Sequence, residues 1–240
     1  MPREDADYKL DDYLARANDI YTITKYKIAL DWLPKKSGLN ILNAGCGSGE
    51  MNILLSQQST WQVEAIDVDP QAIYLSQKLK KQGNLTNLNV VHSTIEKHQC
   101  SQPYDIIVSN DVLEHIQDDV QAVKKLAEML VPQGTLCISV PAYPWLFGYH
   151  DEKLGHYRRY SRQDLLKTLT PHFQIKQCRY FAASLIPVVL AYSCWGRKPY
   201  PVGNLRKKSW LKSVLDQILT LEAKISLPVG ISLIVLATKK

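Results

Sequence analysis

The chain holds 240 residues, 45% hydrophobic and 22% charged, with Gly 11 and Pro 12; those proportions supply a sizeable core and exclude collagen-like, disordered and disulfide-scaffold classes. The five cysteines, Cys46, Cys100, Cys137, Cys178 and Cys194, form no C-x-x-C pair, so neither a disulfide framework nor a zinc knuckle is expected, and a reducing, cytoplasmic setting is. The net charge of +6 divides unevenly: residues 1–120 carry 11 Lys and Arg against 17 Asp and Glu, whereas residues 121–240 carry 18 against 6, a basic half that either solvates the fold or meets an anionic partner.

Met1 to Asp12 is charged and lacks the apolar run of a signal peptide, so no export is expected. Apolar periodicity then predicts a helix over Tyr26–Leu33, a strand over Leu39–Ala44, a helix over Glu50–Gln57 and a strand over Gln62–Asp67. Asp69-Pro70 sets a capping carboxylate before a first-turn proline and opens a helix over Gln71–Gln82, with Gly83 as its C-cap. Strands follow at Leu88–His92 and Tyr104–Ser109, a helix at Asp118–Leu130 and a strand at Thr135–Val140. Ser161-Arg-Gln-Asp164 resembles a capping box and starts a helix to Leu169. A strand over Gln174–Phe181, a helix-rich insertion around Leu211–Ile225 and a last strand over Ile231–Thr238 complete the pattern.

Strands alternating with helices predict an α/β fold with a mostly parallel sheet covered on both faces. One domain is expected: a helical cap over 1–37, a ligand-binding core over 38–170, and C-terminal strands over 171–240 with a helical insertion at about 182–227. The uncharged stretches 180–195 and 225–238 fall short of the roughly 20 residues that span a bilayer, and Pro187, Pro228 and Gly230 interrupt them. Both read as core elements, the first with a secondary reading as a peripheral contact with a membrane surface or a lipidic substrate.

The sharpest feature is Leu39-Asn-Ile-Leu-Asn-Ala-Gly-Cys-Gly-Ser-Gly-Glu50, an apolar strand running into glycines 45, 47 and 49 and then a helix. Glycine belongs where backbone turns tightly and lies against a ligand. The dinucleotide fingerprint needs a glycine at position 50, where this chain has Glu50, and no Gly-Lys-Ser/Thr follows for a triphosphate. A glutamate at the helix start repels phosphate. Asp67 ends the second strand about 20 residues beyond the glycines, where an acid accepts hydrogen bonds from ribose hydroxyls. A nucleoside without phosphate is implied.

Four segments in this order, Asn43–Gly49, Ala65–Pro70, Tyr104–Ile116 and Val131–Pro141, make the chain resemble the class I S-adenosylmethionine-dependent methyltransferases, in the branch that methylates ubiquinone and menaquinone precursors. The resemblance implies a Rossmann-like doubly wound seven-stranded sheet with an antiparallel last strand, and S-adenosyl-L-methionine as cofactor. It further implies Gly45, Cys46 and Gly47 against the methionine portion, Gly49 in the same cofactor-binding loop, Asp67 on the ribose and Val68 against adenine. Asn110 is implied at the methionine amino group, with Asp111 beside it. Asn43 stands where many members carry an acid, and Thr94 and Ile95 where an aspartate often receives the adenine amino group. For Cys46, at a helix start that stabilises thiolates, packing of a small residue is the preferred account.

The fifth strand leads into Val140-Pro-Ala-Tyr-Pro-Trp-Leu-Phe-Gly-Tyr-His-Asp-Glu-Lys-Leu-Gly-His-Tyr-Arg-Arg-Tyr-Ser161. Loops at the carboxyl ends of strands line the crevice, so this one reads as a substrate lid. Tyr143, Trp145, Tyr149 and Tyr157 are its aromatic wall, His156, His150 or Tyr143 its catalytic group, and Arg158 and Arg159 its site for an anionic acceptor. The structural alternative is that His156 and Arg159 tie the lid to the next helix. His115, just past the fourth strand, is a further substrate contact. No metal is expected, since the spacing of His150, Asp151 and His156 matches no zinc pattern. The expected activity is methyl transfer to a small-molecule acceptor, hydrophobic or lipid-associated. An RNA or protein methyltransferase is the second reading, weakened because Asn110 is followed by Asp-Val-Leu and not by a Pro-Pro-aromatic run. A non-catalytic S-adenosylmethionine-binding partner is the third.

Overall fold

The computed structural model describes residues 19–198 and 209–240. Met1–Asp12 and the portion of the expected insertion at 199–208 lie outside the described residues. Asp19 caps α1 (Ile20–Trp32), its carboxylate accepting from the Thr22 N–H at 3.3 Å. The helix thus begins before Tyr26, because Thr22 and Thr24, which interrupt the apolar pattern, are themselves buried.

The remaining elements are β1 (Asn40–Ala44), α2 (Glu50–Ser56), β2 (Gln62–Asp67), α3 (Pro70–Gln82), β3 (Leu88–His92), β4 (Tyr104–Asn110), α4 (Asp119–Met129), β5 (Leu130–Pro141), α5 (Tyr149–Lys153), α6 (Arg162–Leu169), β6 (Phe173–Phe181), α7 (Ser209–Lys224) and β7 (Ser232–Lys239). The strands form one seven-stranded sheet in the order β3-β2-β1-β4-β5-β7-β6. Pairing is parallel except around β7, which runs antiparallel to both β5 and β6. This is the Rossmann-like sheet expected from the sequence.

Adjacent residues explain why the central strands are apolar without alternation. Leu42 and Ile107 join the core on one face of the sheet, Ile41 and Ile106 the core on the other. A period of two with both faces covered turns alternation into a continuous apolar run. Chain order reverses between β1 and β4, so the connections leaving their carboxyl ends diverge and open a crevice.

Two helix ends refine the expectations. Gly83 is the C-cap of α3 but keeps a right-handed backbone, and the left-handed conformation falls on Asn84 (φ 47°). The Leu85 N–H reaches Lys80 O and the Asn84 N–H reaches Lys81 O, the paired bonds of a Schellman ending, which asparagine tolerates. Ser161 caps α6, accepting from the Asp164 N–H at 3.1 Å. The 180–195 stretch divides: its first two residues finish β6, and helical turns over 183–195 end in the π-helical Val189–Trp195. No described helix is long and apolar enough to cross a membrane.

Candidate functional site

The loop after β1 is shaped by backbone that only glycine adopts without strain: Gly45, Gly47 and Gly49 have φ of 81°, 51° and 95°. The N–H groups of Gly45 and Cys46 both donate to Ile66 O at 2.9 Å, pinning the turn to the end of β2. Behind it runs a buried polar chain. Asn43 Nδ2 donates to Asn52 Oδ1 at 2.7 Å, Asn52 Nδ2 donates to Ser76 Oγ at 3.2 Å, and Ser76 Oγ lies 3.3 Å from Cys46 Sγ. Asn43 therefore braces the loop from within, a job an amide does without the cost of a buried charge. Burial, aided by the Asp67 charge, pushes the Cys46 thiol up to about 12, so this sulfur packs as a neutral group.

A Cβ on Gly45 would meet Val112 Cγ2 at 2.2 Å, in a backbone conformation that also disfavours it. Gly45→Ala is expected to cost about 2–4 kcal/mol, combining overpacking with left-handed strain. Adding Val112→Ala should restore only the steric share. Equilibrium denaturation of the single and double variants checks this; a Gly45→Ala protein as stable as wild type contradicts the reading.

Asp67 faces this loop. Its Oδ2 accepts from the Gly47 N–H at 2.8 Å and its Oδ1 from the Asp69 N–H at 2.9 Å. Burial pushes the carboxyl above its ordinary range, while those same N–H groups pull the other way. Each oxygen keeps a further lone pair for a hydroxyl donor. Beyond it Val68 is exposed and Ile95 buried, two apolar surfaces near the end of β2. Thr94 Oγ1 accepts from the Lys97 N–H at 3.2 Å, which leaves its hydroxyl hydrogen available.

At the end of β4, Asn110 Oδ1 accepts from Ser139 Oγ at 2.9 Å, and its buried Nδ2 has no partner among the described residues. An orphaned buried donor is costly unless a ligand supplies an acceptor. Asp111 adopts φ 54° and pairs through Oδ2 with Lys25 Nζ, a fully buried ammonium of α1. The Tyr21 ring lies 4.8 Å below that cation. Burial works against the Lys25 charge, but the Asp111 carboxylate together with Tyr21 and Tyr26 outweighs it and holds the ammonium protonated above its ordinary range. The crevice thus has an ion pair joining residues 86 apart.

The lid grows from the end of β5. Residues 142 and 160 form a parallel bridge, and the Tyr157 N–H donates to Glu114 O at 2.8 Å. At its centre lies Asp151, fully buried. Asp151 Oδ1 accepts from His156 Nδ1 and from Arg159 Nε, each at 2.8 Å, and Oδ2 accepts from the Gly148 N–H at 3.0 Å. Arg158 donates to Asp119 Oδ1 at 2.7 Å and to Gln117 O at 2.6 Å. Both guanidiniums of the expected anion site thus spend donors on internal acceptors: Arg158 ties the lid to α4, and Arg159 braces the lid from within at Asp151 of α5.

Tyr143 stacks on Tyr180 at 5.1 Å and leans on the exposed Trp145 at 5.4 Å. Burial and the neighbouring Tyr180 push the Tyr143 phenol up to about 12, so it is a hydrogen-bond donor and wall at neutral pH. Tyr149 and His150 are half-buried at the start of α5, and the His150 N–H donates to Ser193 Oγ at 3.0 Å. The π-helical segment supports this part of the lid, since a Cβ on Gly148 would strike Ser193 at 2.7 Å.

Glu114, His115 and His156 converge where lid and crevice meet. One ligand-type atom from each lies within 4.8 Å of the others, and the His115 and His156 rings make an edge contact at 4.5 Å. His150 stands outside this group. Because Asp151 accepts at Nδ1, a neutral His156 carries its lone pair on Nε2.

Residues 5–182 match a methyltransferase domain family. The chain belongs to that family. It is a class I S-adenosylmethionine-dependent methyltransferase. Among its curated relatives, the ubiquinone biosynthesis O-methyltransferase of Rickettsia akari is 31% identical over 113 residues, 47% of this chain and 44% of the relative. The malonyl-[acyl-carrier protein] O-methyltransferase of Acetivibrio thermocellus is 31% identical over 131 residues, 52% of this chain and 45% of the relative. These matches span about half or less of each relative's length. In fold, the N-methyltransferase NodS of Bradyrhizobium japonicum, solved with S-adenosyl-L-homocysteine, superposes with TM-score 0.60 at 14% identity over 99% of this chain and 93% of that one. An S-adenosylmethionine-dependent methyltransferase of Mesorhizobium loti gives 0.64 at 15% identity over 92% and 100%.

The crevice of the methyltransferase fits its cofactor on its own terms. A left-handed glycine loop, a carboxylate with spare lone pairs and an orphaned buried amide suit a nucleoside with an amino-acid tail. Sequence reading missed Lys25, whose partner is remote in the chain, and gave Glu114 no role. The available signal for Glu114 was a carboxylate inside the otherwise apolar Val112-Leu-Glu-His-Ile116.

Proposed function

We propose that the methyltransferase acts on an oxygen of a small, largely apolar acceptor held between the crevice and the lid. The observation that carries this is the carboxylate and two imidazoles of Glu114, His115 and His156, within 4.8 Å of one another. S-adenosylmethionine supplies a methyl group already activated on a sulfonium. An amine acceptor then loses its proton to water, whereas a hydroxyl needs a base within hydrogen-bond reach as the new C–O bond forms. His115, half-buried, is the more accessible imidazole. His156 stands behind it, oriented by Asp151 in the manner of a base fixed by a third group. Tyr143, Trp145 and Tyr180 offer an apolar wall, and both relatives described above are named as O-methyltransferases.

Labelled methyl transfer to alkyl-substituted phenols, catechols and amines tests the reading. His115→Ala and His156→Gln are expected to lower kcat on hydroxyl acceptors by about 10²–10⁴-fold with cofactor affinity retained. Turnover of amines alone, or variants as fast as wild type, would overturn it. The same three donor atoms also suit one divalent cation, which favours a second reading in which the acceptor oxygen is polarised by metal. Chelator-treated enzyme that keeps its rate supports the proton-transfer reading; a loss restored by added Mg²⁺ or Zn²⁺ supports the other.

A further inference from the structure

We propose that Lys25 is a positioning residue for the amino-acid tail of the cofactor, acting through Asp111. The ammonium is fully buried, whereas the Asp111 side chain, at the end of β4, is 25% exposed. A ligand in the crevice therefore meets Asp111 and not Lys25. Stability alone does not account for the pair: a buried ammonium loses its hydration, and an apolar side chain of like volume would dock α1 at least as firmly.

α1 presents this charge from a fixed direction. Tyr21, one turn earlier, stacks on Phe181 at 5.8 Å with the ring planes 3° apart, hydrogen-bonds to Ser232 Oγ and lies beneath the ammonium. Ile28, on the following turn, sits in the core with Phe181 and Ile234. What the ammonium holds is an uncommon turn. Asp111 has a φ of 54°, a left-handed backbone that a residue with a side chain keeps only where its surroundings enforce it. Its N–H donates to Ser139 O at 2.9 Å, and the Ser139 hydroxyl donates to Asn110 Oδ1 at 2.9 Å while lying 3.4 Å from Asp111 Oδ1. The serine thus sets which way the Asn110 amide turns, and leaves its buried Nδ2 a donor with no partner among the described residues. On the other side Val112 closes on the glycine loop, where a Cβ on Gly45 would meet it at 2.2 Å. Releasing Asp111 from Lys25 frees the turn and shifts both neighbours.

The arrangement matches a zwitterion. Asn110 Nδ2 can only donate, so it takes the carboxylate of the tail, and the partly exposed Asp111 carboxylate takes the ammonium of the same tail. Asn43, buried and bonded to Asn52, brings no charge to that task. The proposal rests on the placement of the cofactor in the crevice and is independent of the acceptor.

Two ligands separate positioning from a general slackening of the site. S-adenosyl-L-homocysteine carries the tail, and 5′-methylthioadenosine keeps the nucleoside and thioether without it. Lys25→Met is expected to weaken S-adenosyl-L-homocysteine about tenfold or more, the worth of one charge-assisted hydrogen bond, and to leave methylthioadenosine within about twofold. Asp111→Ala should do the same, and the double variant should bind no more weakly than Asp111→Ala, because the lysine acts through that carboxylate. Calorimetric titration reads all of these, with methylthioadenosine binding as the check that the pocket is folded. If Lys25→Met does not fold, Lys25→Met with Asp111→Asn, which leaves no unpaired charge, carries the same comparison of the two ligands. Equal losses for both ligands overturn the proposal and make Lys25 a structural residue. Additive losses in the double variant also overturn it, by placing the ammonium on the cofactor itself. A wild type that binds both ligands alike removes the tail from this end of the crevice, and with it the placement on which the proposal rests.

Discussion

Asp67→Ala is expected to weaken S-adenosylmethionine binding by about 10²–10³-fold. A hydrogen bond to a charged acceptor contributes about 1.5–3 kcal/mol, and two ribose hydroxyls on one carboxylate give about 3–4 kcal/mol at the low end, with each 1.4 kcal/mol worth tenfold. A second effect adds to this. The carboxylate also holds the N–H groups of Gly47 and Asp69, so its loss slackens the glycine loop that lies along the cofactor. Asp67→Asn separates the two contributions: one amide oxygen still accepts, but the amide nitrogen is set against one of the two backbone donors. About a tenfold loss is expected there, consistent with one charge-assisted bond weakened and one reversed. Calorimetric titration of folded protein decides, and tight binding by Asp67→Ala would remove the ribose role from this residue.

How much of this was legible beforehand follows from how far apart the interacting residues are. The glycine loop and Asp67 could be read because a strand, a turn and a helix start within a few residues carry the whole signal, and β2 and β3 keep the bounds that their flanking turn residues mark. The start of α1 could not be, since buried Thr22 and Thr24 look polar in sequence but are core in the fold. The Lys25–Asp111 pair leaves no periodic trace, its members lying 86 residues apart.

The lid shows the same limit from the other side. Composition placed His156, Arg158 and Arg159 near a substrate, and the chain does return there, with the Tyr157 N–H on Glu114 O. Which charges face the acceptor depends on partners that only the tertiary structure brings in. Asp119 takes Arg158, and Asp151 takes Arg159 together with His156. His156 and Arg159 are tied within the lid, to Asp151 of α5 and not to the following helix α6, and the ring contact with His115 keeps a chemical role open to His156.

Asp151→Ala is expected to be the most destabilising single change in the lid, by about 3–5 kcal/mol, because it strands a buried guanidinium and leaves an imidazole and a backbone N–H without their acceptor. Arg159→Met in the same chain should recover part of that loss, since removing both charges costs less than removing one. The pH dependence follows from the direction of the shift. Burial pushes the Asp151 carboxyl up, but the His156 hydrogen bond and the Arg159 charge outweigh it, and the group sits below the ordinary aspartate range. A folded-state value below the unfolded one, about 3.9, means that the stabilisation is fully present above that unfolded value and is lost as pH falls through the folded one. The stability gap between wild type and Asp151→Ala should therefore be constant near neutrality and narrow on strong acidification. Urea denaturation across pH measures it, and a gap that widens toward acid would mean that Asp151 is held above its ordinary range, with burial winning over the His156 hydrogen bond and the Arg159 charge.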